Sequence, residues 1–155
     1  VSISTETLSA DDILYHGARL YSINKEMCNI IIEPATSLPF VKGEREKLHQ
    51  VMINLISNAC KYSPNGSTVT IGARSAGDCI NFFVQDEGIG IPVEMREKVF
   101  ERFYRIDNSD SRMVGGTGLG LALVKDIVKA HGGEVWIESN LPCGTRVLFS
   151  IPAAI

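Results

Sequence analysis

The chain has 155 residues, 45% of them hydrophobic and 21% charged, with a net charge of −3. That length suits one domain burying roughly two-thirds of its unfolded surface, and the composition argues against disorder. The small acidic balance gives no case for nucleic-acid binding, and no apolar run reaches the ~18 residues that a membrane helix needs.

After an irregular start, Ser9 reads as a helix N-cap with Asp11 and Asp12 in the first turn. A helix is predicted over 12–27, carrying Ile13, Leu14, Ala18, Leu20 and Tyr21. Residues 29–33 form a short predicted strand closed by Pro34. The strongest helical pattern covers 44–62 and stops at Ser63-Pro64-Asn65-Gly66. Strands over 68–73 and 79–85, parted by Ala76-Gly77-Asp78, predict a hairpin. Pro92 suits the first position of a short helix reaching Val99. Residues 104–117 lack a period and read as a long loop. Helical spacing returns over 118–131, with Leu121, Val124, Ile127 and Val128 on one side and Gly132-Gly133 as the stop. Two strands, 134–139 and 145–151, flank a turn at 140–144. About five strands and four helices predict a single α+β domain over 1–155. Its architecture is an α/β sandwich, with a mixed, mostly antiparallel sheet covered on one face by about three helices.

The four cysteines (Cys28, Cys60, Cys79, Cys143) show no CxxC spacing. Free thiols are expected, three of them in apolar packing, with neither a zinc site nor a disulfide framework. The chain begins with Val1, so a piece of a longer protein is expected.

The helix over 44–62 has its polarity inverted. At ~100° per residue, Gln50, Asn54, Ser57, Asn58 and Lys61 share one narrow strip. Val51, Met52, Ile53, Leu55, Ile56, Ala59 and Cys60 fill nearly all the rest. The strip either faces solvent or a neighbouring loop, or it meets a ligand carrying oxygens and a metal. Amide oxygens suit a hard cation such as Mg²⁺, and Lys61, two turns beyond Asn54, suits phosphate.

Eight of the 14 glycines fall between 88 and 133, and glycine weakens regular elements, so the crowding needs a cause. Asp86-Glu87-Gly88-Ile89-Gly90-Ile91-Pro92 follows directly on a strand. A carboxylate there can accept a hydrogen bond from an exocyclic amine such as adenine's, whereas a guanine carbonyl would repel it. An ordinary strand-to-helix turn explains the same residues. Gly115-Gly116-Thr117-Gly118-Leu119-Gly120-Leu121 opens a helix, whose free N–H groups and positive end favour an anion. Its GxGxG spacing is neither the dinucleotide fingerprint nor a Walker A loop. Between the clusters, Phe100 and Phe103 read as core anchors, and Arg105 as a solvated charge or a phosphate partner.

Together these segments resemble the catalytic ATP-binding domain of sensor histidine kinases, within the superfamily that includes gyrase-type ATPases. HQVMINLISNACKYSP resembles the N box, DEGIGIP the first glycine box, FERFYRID the F box and GGTGLGL the second glycine box. The order and spacing agree over nearly the whole chain. The resemblance implies that Asn54 binds Mg²⁺ and that Asn58 contacts phosphate beside it. Lys61 and Tyr62 would approach the phosphates and nucleotide, and Asp86 would select adenine. Gly88 and Gly90 would shape the base pocket, and residues 107–114 would form a mobile lid over ATP. Gly116, Gly118 and Gly120 would hinge that lid and cradle phosphates, Thr117, Leu119 and Leu121 would bind the nucleotide with them, and Arg105 would lie near the γ-phosphate. Asn54, Lys61 and Arg105 would serve catalysis.

Two departures refine this. Nothing resembles the family's acceptor-histidine segment, so the dimerisation and phosphoacceptor domain is expected upstream of Val1. His16, His49 and His131 read as structural. Gyrase-type relatives also carry a glutamate one turn before the metal asparagine, where it activates water, and here Gln50 stands there instead. A γ-phosphoryl donor to histidine is therefore expected, cytoplasmic, working with ATP, Mg²⁺ and, through the full-length protein, a response regulator. No contact with nucleic acid and no membrane insertion by this domain are expected. A gyrase-like ATPase and a non-catalytic nucleotide sensor are the rivals.

Overall fold

The structure, a computed structural model, describes residues 3–21, 29–34, 38–62, 67–101, 120–139 and 143–154, with Leu20, Tyr21 and Tyr62 described in backbone only. In chain order these form β1 (Glu6–Leu8), α1 (Ala10–Tyr21), β2 (Asn29–Ile32), β3 (Val41–Gly43) and α2 (Arg45–Tyr62). The hairpin of β4 (Thr68–Ala76) and β5 (Cys79–Gln85) follows, then α3 (Gly120–Ala130), β6 (Val135–Ser139) and β7 (Thr145–Pro152).

The main sheet has five strands in the order β2-β4-β5-β7-β6. Among the described strands only β2 and β4 run parallel; the other neighbours are antiparallel, so the sheet is mixed and mostly antiparallel as expected. Alternation fixes which face is buried. Val69, Ile71 and Ala73 of β4, Ile80, Phe82 and Val84 of β5, and Phe149 and Ile151 of β7 all join one core. The helices cover it with Ile13 and Leu14 from α1, Leu48, Val51, Met52, Leu55 and Ile56 from α2, and Val124, Ile127 and Val128 from α3. Full burial of each large aliphatic or aromatic side chain contributes about 1.5–3 kcal/mol. Gly17 lets α1 and α2 approach closely, since a Cβ there would stand 3.0 Å from Ile56 Cδ1 and 3.3 Å from Met52 Cβ.

Several expectations need correction. β1 and β3 pair antiparallel as a separate two-stranded sheet. At three residues each, they are too short for alternation to show. The stretch after Pro92 is not an α-helix. It makes two 3₁₀ turns, Val93–Met95 and Lys98–Phe100, with Pro92 as N-cap of the first. Only the adjacent Val99 and Phe100 are buried there, so no stripe at helical spacing holds a longer helix. Cys60 is disulfide-bonded, whereas Cys79 and Cys143 are free thiols, the latter exposed. Sequence spacing does not reveal which thiols meet in space. Residues 22–27 of the first predicted helix, Cys28, Phe103 and the expected lid at 107–114 lie outside the described residues.

The histidines are structural. His131 is buried at the end of α3, its Nδ1 2.8 Å from the Ile127 carbonyl oxygen while its Nε2 accepts the Glu44 N–H at 3.0 Å. One ring thereby joins the end of α3 to the start of α2. His16 of α1 and His49 of α2 stack with ring centroids 3.8 Å apart, and His49 Nε2 is buried without a hydrogen-bond partner. Burial, then the His16 and Arg45 charges, hold the His49 pKa below its ordinary value, opposed by Asp12. The unfolded chain therefore takes up this proton first. Stability is full above the unfolded value and declines as pH falls through it towards the folded value. Denaturant midpoints measured from about pH 8 to about pH 5 should fall less steeply in His49→Phe than in wild type. Identical slopes would show that the pair does not matter.

Candidate nucleotide site

Helix α2 confirms the inverted polarity. Val51, Met52, Leu55, Ile56, Ala59 and Cys60 are buried, while Asn54, Ser57, Asn58 and Lys61 are half-buried along the remaining strip and Gln50 is exposed. Among the described residues, no hydrogen-bond partner holds the Asn54, Asn58 or Lys61 side chain. Half-buried amides left this way face a desolvation cost of about 1–3 kcal/mol each unless water or a ligand satisfies them. The start of α3 abuts this strip: a Cβ on Gly120 would stand 4.0 Å from Asn58 Nδ2. Leu121, the next residue, packs its side chain against the core, which leaves its backbone as the part available to a ligand.

A second group gathers at the end of β5. Asp86 Oδ1 accepts the Gly88 N–H at 2.9 Å and the Thr145 N–H at 3.1 Å, and the Asp86 N–H donates to the Thr145 carbonyl at 2.8 Å. Burial pushes the Asp86 carboxyl above its ordinary pKa, while the Gly88 and Thr145 N–H groups pull it down. Such a carboxylate is oriented by fixed donors in a low-dielectric setting, where one more hydrogen bond is stronger than in water. Gly144 makes the arrangement possible. Its φ is +109°, and a Cβ would lie 2.0 Å from the Asp86 carbonyl oxygen, so any side chain would force the turn off the strand end. Gly90, at φ +80°, lies against the same turn, and a Cβ there would be 3.3 Å from the Gly144 carbonyl oxygen.

Gly144 and Thr145 are absent from the sequence-derived site. They reach Asp86 through the β5–β7 register, in which Gln85 faces Arg146, and a single sequence carries no register signal for strands sixty residues apart. Phe100 is a core anchor as expected, buried with Val99 and Ile137. Arg105, Gly116, Thr117, Gly118, Leu119 and the Tyr62 side chain lie outside the described residues.

No cluster of three or more His, Cys, Asp or Glu side chains able to hold a metal occurs among the described residues. Mg²⁺ keeps most of its shell as water and phosphate oxygens and needs few hard protein donors. The Asn54 amide oxygen is such a donor.

Comparison with known proteins places the chain among relatives of one family. The family model described as "Histidine kinase-, DNA gyrase B-, and HSP90-like ATPase" matches residues 43–155. The sensor histidine kinase WalK of Bacillus subtilis is 48% identical over 115 residues, covering 73% of this chain and 19% of WalK. The sensor-like histidine kinase SenX3 of Mycolicibacterium smegmatis is 46% identical over 112 residues, covering 72% of this chain and 29% of SenX3. The chain thus spans less than a third of either relative. Full-length ShkA in complex with AMPPNP superimposes with a TM-score of 0.86 at 27% identity, over 99% of this chain and 32% of that one. A nucleotide-free catalytic domain of the histidine kinase ThkA gives 0.83 at 26% identity, over 97% of this chain and 99% of that one.

Proposed function

The chain belongs to the family of histidine kinase-, DNA gyrase B- and HSP90-like ATPases, as an ATP-binding domain of the sensor histidine kinase type, and on that premise we propose that it donates the γ-phosphoryl group of ATP to a histidine on a separate dimerisation and phosphoacceptor domain. The whole of 1–155 acts as one catalytic domain. The observation that carries the reading is the half-buried polar strip on α2 meeting Gly120 at the start of α3.

Asp86 accepts a hydrogen bond from the adenine amine, between Gly88 and Gly90 on one side and Gly144 on the other. Asn54 holds Mg²⁺ through its amide oxygen, and Asn58 and Lys61 meet the phosphates. The Gly120 and Leu121 backbone lies at the same end. Tyr62, Arg105, Gly116, Thr117, Gly118 and Leu119 complete the phosphate end by resemblance. When bound there, Mg²⁺ would supply positive charge to offset that of the phosphates. Positioning and charge stabilisation supply most of phosphoryl-transfer catalysis. The γ-phosphorus–oxygen bond breaks, a phosphorus–nitrogen bond to histidine forms, and ADP departs.

Gln50 separates transfer from hydrolysis. It sits one turn before Asn54, and its amide cannot take a proton from water. Among the described residues no helix is long and apolar enough to cross a membrane. The domain works in the cytoplasm, and the full-length protein passes the phosphoryl group to a response regulator.

The test mixes the chain with γ-labelled ATP, Mg²⁺ and a separately expressed histidine-bearing helical domain of a sensor kinase. Acid-labile, base-stable label on that domain is expected, with slow ATP turnover by the chain alone. Rapid hydrolysis without transfer would identify a gyrase-like ATPase. ATP binding without transfer or hydrolysis would identify a nucleotide sensor.

A further inference from the structure

Glu87, beside Asp86, connects three segments of the site. Its Oε1 accepts the Thr68 backbone N–H at 2.6 Å, across 19 positions of sequence. Its carbonyl oxygen accepts from Cys143 Sγ at 3.6 Å, and a Cβ on Gly144 would stand 3.0 Å from its Cα. Thr68 opens β4, and only residues 63–67 separate it from Tyr62, the last residue of α2. The Glu87 side chain therefore ties the loop holding Asp86 to the start of β4, the strand that follows the helix holding Asn54, Asn58 and Lys61.

A nucleotide with both base and triphosphate needs those two ends at a fixed separation. A ligand gripped at one end makes no such demand. We propose that Glu87 is a positioning residue that sets the base loop against the end of α2, so that ATP is held at both ends at once. The inference rests on the reading that Asp86 and the α2 strip bind ATP. The simpler alternative is a solvated rim charge that only completes the first N–H of β4.

The experiment measures the affinities of ATP and of adenosine by calorimetry for wild type, Glu87→Ala, Glu87→Gln and Asp86→Asn, with thermal unfolding recorded for each. Glu87→Ala is expected to weaken ATP by about three- to tenfold and adenosine by less than about twofold, since only ATP uses both ends. Glu87→Gln keeps an acceptor oxygen, does not depend on the charge and should recover most of the ATP affinity. Unchanged ATP affinity in Glu87→Ala, equal losses for ATP and adenosine, or a Glu87→Gln variant as weak as Glu87→Ala would each overturn the proposal. Asp86→Asn separates the two levels. If it loses both ligands while Glu87→Ala loses neither, the positioning role alone fails. If it keeps both ligands, the base-site reading fails, and the Glu87 role with it.

Discussion

Asp86→Asn should lower ATP affinity by about 100-fold while leaving the unfolding midpoint nearly unchanged, which corresponds to about 2.7 kcal/mol. The amide has almost the shape of the carboxylate, so it can still offer one oxygen to the Gly88 and Thr145 N–H groups that Asp86 Oδ1 now accepts. In place of the second oxygen it presents an NH₂. A donor then meets the adenine amine, another donor. A lost charge-assisted hydrogen bond is worth about 1.5–3 kcal/mol, and a donor left buried without an acceptor costs about 1–3 kcal/mol more. Preference for ATP over GTP should narrow in the same variant, because the guanine carbonyl no longer meets a carboxylate. Calorimetry with both nucleotides measures each effect. Wild-type ATP affinity in the variant would remove Asp86 from the base site.

The resulting picture was partly visible in the residues themselves. The strip on α2 could be read from the sequence because it is local: a 3.6-residue period sorts Asn54, Asn58 and Lys61 from Val51, Leu55 and Ile56 whatever the rest of the chain does. The same holds for the β4–β5 hairpin, where alternation and Ala76-Gly77-Asp78 lie within a few residues of one another. Gly144 and Thr145 could not be read, because their partner Asp86 lies 59 positions from Thr145 and is reached only through the pairing of β5 with β7. The pairing of β1 with β3 was hidden for the same reason, at three residues per strand. The disulfide at Cys60 was missed because thiol proximity is a property of the folded chain. The 3₁₀ turns after Pro92 were mistaken for a helix because Pro92 and the acids after it start both kinds of turn equally well. Long-range contacts thus supplied what orients Asp86, and local pattern supplied the polar strip on α2.

The account turns on that strip being the metal and phosphate end of an ATP site. Asn54 is its centre, half-buried on a helix whose other sides are packed. Alanine favours helix more than asparagine does, by about 0.6 kcal/mol, so Asn54→Ala should preserve α2 and remove only the amide oxygen. That oxygen is a hard donor suited to Mg²⁺, and little else of the protein is needed in an ion shell otherwise made of water and phosphate. The loss should therefore appear where the metal contributes and nowhere else. The decisive measurement is an ATP titration of wild type and Asn54→Ala, each with excess Mg²⁺ and with excess chelator. Wild type should gain about tenfold or more in ATP affinity from Mg²⁺, a coupling of about 1.4 kcal/mol or more, and Asn54→Ala should gain almost nothing while matching wild type in chelator. An Asn54→Ala variant that keeps the full gain from Mg²⁺ would contradict the assignment.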